Sequence, residues 1–221
     1  MTYARAYIIM FQKRIIFLFF IVGWFMQYQK EDVRKRIVDA AKTEFLRVGY
    51  YRTSMLQISN RARVPIGNLY RYFSSKEALY DAIVGTAKER ILETVKSGLV
   101  VSVQMPKTER QDVKGRMDEV SSNFLELAKD YQKEMILLLQ KSSGSKHDGF
   151  IEEVIGCVKA LLEDRVRSAS GTPHEFLFDL IADNITRGAF RIMIERPFEE
   201  QHEELTRLLT FYFANIDERL Y

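Results

Sequence analysis

The chain has 221 residues, of which 47% are hydrophobic and 29% are charged. This composition is sufficient for a buried core and excludes a wholly disordered protein. A single cysteine excludes an intramolecular disulfide and fits a reducing cytoplasm, where we expect the protein to act. The three histidines stand apart from any cysteine or carboxylate at metal-ligand spacing. We therefore expect neither a metal site nor a cofactor.

Residues 1–29 form a hydrophobic leader, in which an apolar run from Ile15 to Met26 follows Lys13 and Arg14. Twelve residues are too few to cross a bilayer, which takes about twenty. A longer span would place Lys13 and Arg14 near the membrane centre, at about 2.5–3.5 kcal/mol each. Two interpretations remain open. The favoured one is an artefactual upstream extension of the reading frame, starting before Met26; the other is a hydrophobic arm or a membrane tether.

Charge is divided unevenly along the rest of the chain. Residues 30–90 carry thirteen Lys/Arg and seven Asp/Glu, a net charge of +6, whereas residues 91–221 carry seventeen and twenty-three, a net charge of −6. A basic segment joined to an acidic one is the pattern expected of a DNA-binding head on a body that does not bind DNA. Chance distribution of solvated charges would give the same counts.

The basic segment begins with two predicted helices. The first covers about 32–48, and its apolar stripe consists of Ile37, Ala41, Phe45 and Val48. Gly49 suits the position just after its end. Thr53 or Ser54 is expected to cap the second helix, whose inward residues are Met55, Ile58 and Ala62. A hydroxyl at this cap can also contact a phosphate, because a helix amino terminus presents free N–H groups.

A third helix is predicted over 65–73, with Pro65 at its first position and with Leu69 and Phe73 facing the core. The helical wheel then leaves an outward face of Ile66, Gly67, Asn68, Tyr70, Arg71 and Tyr72. Asn68 can pair with an adenine edge and Ile66 can touch a thymine methyl. Tyr70 and Tyr72 suit phosphate contacts, and Gly67 permits close approach of the backbone to DNA. A packed helical corner would use the same aromatic residues, but the caps and the basic charge favour a helix-turn-helix that binds DNA.

The start of a fourth helix completes the head. Ser74 to Glu77 has the spacing of a capping box. Lys76 in the first turn opposes the helix dipole, so it favours a nearby anion such as a phosphate. The fourth helix is predicted to reach about residue 99.

Beyond it, 3.6-residue periodicity predicts helices over 109–129, 131–142, 149–168, 174–195 and 197–220, and the whole chain is expected to be all-α. The last two helices have broad apolar stripes that suit a dimer interface or an intrachain core. One stripe consists of Phe176, Leu177, Leu180, Ile181, Ala189, Ile192 and Met193, and the other of Leu205, Leu208, Leu209, Tyr212, Phe213 and Ile216. A ligand pocket is predicted only weakly, because apolar residues at helical spacing are more often core; its candidates are Met117, Phe124, Tyr131, Met135 and Phe150.

Residues 30–90 resemble the tetracycline-repressor (TetR/AcrR) family of transcriptional regulators. The resemblance is carried by Phe45, Gly49-Tyr50, Thr53-Ser54, Ile58, Ala62, Val64, Gly67, Leu69-Tyr70, Tyr72-Phe73 and residues 75–79. It implies a three-helix head, homodimers on a palindromic operator and a helical body that senses a ligand. The DNA contacts that it implies fall on Thr53 or Ser54, Ile66, Gly67, Asn68, Tyr70, Tyr72 and Lys76. One departure is Arg63, where the family usually has glycine; a left-handed non-glycine residue costs about 1 kcal/mol. Either the turn differs locally, or Arg63 is tolerated and reaches the phosphate backbone.

The sequence thus predicts a leader (1–29), a DNA-binding head (30–90) and an effector-binding and dimerisation body (91–221). The expected function is a ligand-responsive transcriptional regulator, in particular a repressor that an effector releases from double-stranded operator DNA. A membrane-tethered DNA-binding sensor is the alternative. A helical enzyme is less favoured, because no catalytic residues are recognised in the sequence.

Overall fold

The computed structural model describes residues 30–103, 113–168 and 175–214, without the side chains of 99–103, 165–168 and 175. Every regular element in these ranges is an α-helix, which confirms the predicted all-α fold. In chain order the helices are α1 (residues 30–52), α2 (Met55–Ala62), α3 (Ile66–Tyr72), α4 (Lys76–Val103), α5 (Val113–Gln140), α6 (Phe150–Ser168), α7 (Glu175–Glu195) and α8 (Phe198–Phe213). The leader and Ile216 lie outside the described residues.

The described chain divides into two compact units. Residues 30–44 and Thr53–Leu79 form one unit, here called the head. Phe45–Arg52 and the described residues from Tyr80 onward form the other, here called the body. The division passes through α1 and α4, so each of these helices begins in the head and continues in the body. The boundary between head and body predicted at residue 90 lies further along α4 than the observed one, which follows Leu79.

The head is built on the apolar residues that the periodicity places inward. Ile37 and Ala41 of α1 and Leu69 of α3 are fully buried, and so are the predicted inward residues of α2 and Phe73. Burying a large aliphatic or aromatic side chain contributes about 1.5–3 kcal/mol. A few such residues therefore hold three short helices together.

Local capping fixes where these helices begin. Ser54 Oγ accepts a hydrogen bond from the Gln57 backbone N–H at 3.2 Å, and Gln57 Oε1 accepts one from the Ser54 N–H at 2.7 Å. This reciprocal pair is a capping box, so Ser54 is the cap of the two residues predicted for α2.

Two predicted caps are wrong by one residue. Pro65 precedes α3 as its N-cap, with φ −53° and ψ 140°, and is not its first helical residue. The cap of α4 is Ser75, whose Oγ accepts from the Ala78 N–H at 3.0 Å. The cap thus lies one residue after Ser74, and the residue three positions after Ser75 is Ala78, which has no side-chain acceptor with which to complete a capping box.

The end of α1 is anchored within the body. Gly49 has φ +81°, the left-handed conformation expected just after a helix end, but α1 continues to residue 52, so the end predicted at residue 48 is wrong. The Tyr50 N–H donates to the Lys141 carbonyl oxygen at 2.8 Å, and its ring packs on Phe45 and edge-on against Tyr80. The Tyr80 hydroxyl donates to the Leu137 carbonyl oxygen at 2.9 Å. The last turns of α1 are thus held to α4 and α5.

The remainder of the body is a bundle in which α5 packs on α8, α6 on α7, and α7 on α8. The two helices predicted over 109–129 and 131–142 are one helix, α5, with a kink at Tyr131, where φ is −125° and ψ is 23°. The break predicted between these two helices is therefore present as a kink within one helix. Within the described ranges, no helix has the length and hydropathy needed to span a membrane.

Candidate nucleic-acid interface and body cavity

Helix α3 presents most of its surface to solvent. Leu69 is its one buried residue, whereas Ile66, Gly67 and Tyr70 are exposed, Tyr70 with 49% of its surface accessible. Asn68 and Tyr72 are half-buried. Five of the predicted contact residues therefore lie on one seven-residue helix.

Gly67 has no packing role within the chain. Its φ lies outside the left-handed region, and a Cβ built on it would meet no atom within 4 Å. A glycine inside a helix lowers stability by about 1 kcal/mol relative to alanine. The fold itself would therefore favour alanine at this position. Gly156 of α6 has equally open surroundings.

Thr53 and Ser54, the two candidates at the start of α2, differ in exposure. Thr53 is only 2% exposed, and Ser54 is exposed. The Ser54 hydroxyl takes part in the cap of α2, next to the free N–H groups of its first turn. Ser54 is thus the one of the pair whose side chain a phosphate can approach.

Lys76 has a structural contact that the sequence did not indicate. Its Nζ donates to the Thr53 carbonyl oxygen at 3.0 Å, which ties the first turn of α4 to the start of α2. Burial lowers the pKa of Lys76 below its ordinary value, and the Glu77 carboxylate partly opposes this shift. An approaching phosphate would replace some of the solvation that the half-buried ammonium has lost.

The turn between α2 and α3 is left-handed at Arg63, so of the two alternatives the structure has the one in which the arginine is tolerated. Arg63 has φ 53° and ψ 44°, and it is the one non-glycine residue with positive φ among those described. Its side chain is exposed, and its N–H closes the end of α2 by donating to Asn60. The strain at this arginine is therefore real, and the turn keeps the usual form despite it.

Sequence reasoning missed an ion pair that ties α2 to α1. Arg61 in the last turn of α2 pairs with Glu44, whose side chain is 5% exposed. Arg34 also lies over the Phe73 ring, 5.3 Å from its centroid. A glutamate seven residues after Ile37, on the inward stripe of α1, was the signal that could have predicted a buried partner.

The five predicted ligand-binding residues do not come together. Met117, Met135 and Phe150 are buried in the core of the body, and none of them lines the described cavities. Tyr131 lies at a polar groove between α4 and α5, and Phe124 lines an apolar cavity. Phe124 alone therefore has the position expected of a residue that contacts an apolar ligand.

That apolar cavity lies among α4, α5, α6, α7 and α8 and has a volume of about 40 Å³. Its wall includes Val95, Phe124, Val158, Phe190 and Leu209. All but one of the described residues in its wall are apolar; the exception is Thr186 of α7. No sequence pattern predicted this cavity, because its residues come from five separate helices.

A serine, a histidine and an aspartate also meet on the surface of the body. His202 Nε2 lies 3.1 Å from Ser122 Oγ and 3.6 Å from Asp118 Oδ1. In a catalytic triad the histidine contacts serine and aspartate through opposite ring nitrogens, whereas here the same nitrogen faces both. Ser122 also donates to the Asp118 carbonyl oxygen, so this group has the geometry of a surface contact between α5 and α8. Among the described residues, no cluster suited to holding a metal ion is found.

The apolar stripes of the last two helices are divided between core and surface. Met193, Leu205, Leu209 and Phe213 are buried within the chain, so these members of the predicted stripes belong to the core. On α7, Phe176 and Leu180 remain 75% and 45% exposed, and Leu177 is exposed as well. On α8, Leu208 and Tyr212 are half-buried, and Phe211, which the predicted stripe omitted, is exposed.

Comparison with known proteins finds relatives of the head. The family described as "Bacterial regulatory proteins, tetR family" matches residues 37–83. The transcriptional regulator UidR of Escherichia coli K12 is 39% identical over 67 residues, which are 30% of this chain and 34% of UidR. The transcriptional repressor KstR of Mycolicibacterium smegmatis is 43% identical over 62 residues, 28% of this chain and 30% of KstR. The chain thus matches about a third of the length of these relatives.

Solved structures extend the likeness in fold to the body. A TetR-family regulator from Bordetella parapertussis 12822 aligns with a TM-score of 0.58 at 21% identity, over 83% of this chain and 94% of that one. A TetR-like regulator from Rhodococcus sp. RHA1 aligns with a TM-score of 0.55 at 19% identity, over 83% and 96%. At this identity the alignment shows a shared fold. The head thus matches the tetR family over residues 37–83, and the described chain shares the fold of these TetR-family structures.

Proposed function

We propose that this chain is a homodimeric, ligand-responsive regulator of transcription that represses by binding a palindromic operator and is released by a small-molecule effector. The observation that carries the proposal is the open face of α3. A seven-residue helix with one buried side chain contributes little to the core, yet it presents an amide, two phenols and an unobstructed glycine. These are groups that contact bases and phosphates in the major groove.

Within this surface we assign separate roles. Asn68 reads an adenine edge through its amide, and Ile66 contacts a thymine methyl. Tyr70 and Tyr72 donate to phosphates, while the bare backbone at Gly67 allows close approach of the duplex. Ser54 contacts a phosphate at the amino terminus of α2, and the buried Thr53 serves by holding Lys76 through its carbonyl group. Lys76 remains our candidate for a further phosphate contact.

The dimer is proposed to form through α7 and α8. Phe176, Leu177 and Leu180 expose a continuous apolar surface on the first two turns of α7, and Phe211 exposes another on α8. An isolated chain gains nothing from leaving three large side chains exposed at neighbouring helical positions, whereas pairing with a second copy would bury them. A two-fold dimer also matches a palindromic operator, whose half-sites lie about 34–36 Å apart.

Release by an effector requires a body state with lower affinity for DNA. Helix α4 is a suitable connection, because its first turn belongs to the head and Val95 lines the body cavity. A Cβ at Gly98 would lie 3.3 Å from Val120 Cγ1, so α4 and α5 pack closely there. A ligand that displaces the lining residues of α5 would therefore also displace α4. Because a regulator of this kind acts on DNA, we propose that the protein is cytoplasmic.

The test is selection of bound duplexes from a random DNA pool by the full chain. We expect enrichment of an inverted repeat, with affinity that falls steeply as salt rises because phosphate contacts release counterions. Recovery of unenriched DNA at low and at physiological salt would contradict a sequence-specific regulator. Small molecules are then screened for release of the enriched duplex.

A further inference from the structure

We propose that the apolar cavity of the body binds a compact, uncharged and mainly apolar molecule, which is held by one hydrogen bond to the hydroxyl of Thr186. The proposal rests on the proposed function, in which this molecule is the effector. It names the chemical class of the effector, which neither the family nor the relatives define.

The hydroxyl of Thr186 is the polar feature of the cavity. Thr186 is 4% exposed and lines the wall, and its Oγ1 is buried without a hydrogen-bond partner. A buried hydroxyl without a partner is unfavourable, and most such groups in folded proteins are satisfied. An unsatisfied hydroxyl on an otherwise apolar wall therefore indicates a ligand with one complementary polar group.

The wall also excludes charged ligands. None of the described residues that line the cavity is charged, so none of these side chains would neutralise a carboxylate or an ammonium group. Transfer of an unpaired charge from water into such surroundings is strongly unfavourable.

The size of the cavity couples binding to a change of shape. Its volume of about 40 Å³ is far below the roughly 300–1,000 Å³ of typical ligand pockets. A ligand must therefore displace lining side chains, among them Met193, whose flexible thioether chain adapts readily. Such a ligand prefers the enlarged state over the closed one. This preference is the thermodynamic condition for an effector.

The experiment uses benzyl alcohol, toluene, benzoate and benzylammonium, which share one ring and differ in their polar group. Their dissociation constants are measured by titration calorimetry or from the ligand-dependent rise in Tm, with the full chain and with two variants. Thr186→Val removes the hydroxyl at nearly constant shape. Thr206→Val is the matched control, because Thr206 of α8 is also buried with an unpartnered hydroxyl but does not line the cavity.

We expect the full chain to bind benzyl alcohol and toluene and to reject benzoate and benzylammonium. Thr186→Val should weaken benzyl alcohol by about threefold to tenfold, the effect of one lost hydrogen bond, and leave toluene unchanged. Thr206→Val should change neither. Equal or tighter binding of benzoate or benzylammonium, equal affinity of Thr186→Val and the parent for benzyl alcohol, or no binding of benzyl alcohol would each overturn the proposal.

Binding to the selected duplex is measured on the same preparations, so that the two proposals fail separately. If the chain binds that duplex but not benzyl alcohol, the cavity proposal is wrong and the regulator proposal stands. If benzyl alcohol binds and no duplex is enriched, the regulator proposal is wrong and the ligand site stands.

Discussion

The head exposes its polar side chains to solvent on α3, whereas the body has a polar side chain that faces its interior. Helix α3 of the head buries one residue and turns its hydrogen-bonding groups outward, whereas the body places the unpaired hydroxyl of Thr186 inside an apolar cavity. A surface of this kind suits a large polar partner that covers it from outside. A narrow apolar cavity suits a small molecule that must widen it. The two regions are thus equipped for two different partners.

Helix α7 of the body carries both kinds of surface. Thr186 and Met193 line the cavity, while Phe176 and Leu180 lie exposed near the start of the helix. We infer that one helix serves the effector on one face and the second subunit on another. The following variants test this contrast between head and body.

The largest effect is expected at the proposed dimer surface. Leu180→Glu places a charge in an apolar interface, so the dimer should dissociate at concentrations where the parent chain is dimeric. Sedimentation equilibrium measures the mass. Leu56→Glu is the matched control, because Leu56 is also an exposed leucine, 59% against 45% for Leu180, but lies on α2 of the head. A Leu180→Glu variant that remains dimeric would remove this face of α7 from the interface.

A smaller effect is expected inside the head. Arg61→Met leaves the buried Glu44 carboxylate without its arginine and should lower the free energy of unfolding by about 2 kcal/mol, between the values for exposed and buried pairs. Arg36→Met breaks an exposed pair with Asp32 of the same unit and should cost less than about 0.5 kcal/mol. Urea denaturation measures the free energy of unfolding of both variants and of the parent chain. Equal losses of stability in the two variants would mean that the burial of Glu44 does not strengthen its ion pair with Arg61.

The open glycine of α3 allows stability and function to be separated. Gly67→Ala should raise the free energy of unfolding by about 0.5–1 kcal/mol, because alanine favours the helix and meets no neighbour, yet it should weaken operator binding. Gly156→Ala, in an equally open site on α6, should give the same gain in stability with unchanged DNA affinity. Unchanged operator affinity of Gly67→Ala would exclude close approach of DNA at this residue.

The smallest effect is expected at the strained turn. Arg63→Gly relieves a left-handed conformation, at the expense of greater freedom in the unfolded chain, and should stabilise the protein by up to about 1 kcal/mol. Thermal and urea unfolding report the change. A loss of stability would mean that the arginine side chain makes favourable contacts that outweigh the strain of its backbone.

The contrast between head and body also explains how much the sequence alone could predict. Short-range rules succeed in the head, where the cap at Ser54 and the inward position of Leu69 follow from residues a few positions apart. The same rules placed two caps one residue away, because adjacent serines at 74 and 75 satisfy them almost equally well.

Long-range features were not accessible in this way. The cavity around Thr186 draws its wall from five helices, and the pair of Glu44 and Arg61 joins residues seventeen positions apart. Periodicity identified apolar residues such as Met117 and Leu205 correctly, but it could not decide whether they face a core, a ligand or a second subunit. That choice depends on which helices pack together.

The central claim, that α3 reads bases, is tested most directly by Asn68→Ala on the selected operator. Binding is measured to that duplex, to its single-base variants and to random DNA. The control is Asn123→Ala, at an exposed residue of α5. Loss of a bidentate contact of about 1–3 kcal/mol predicts weaker operator binding by roughly fivefold to 150-fold, and loss of preference at one position in each half-site. Equal weakening on operator and random DNA, with every base preference retained, would contradict base recognition by Asn68.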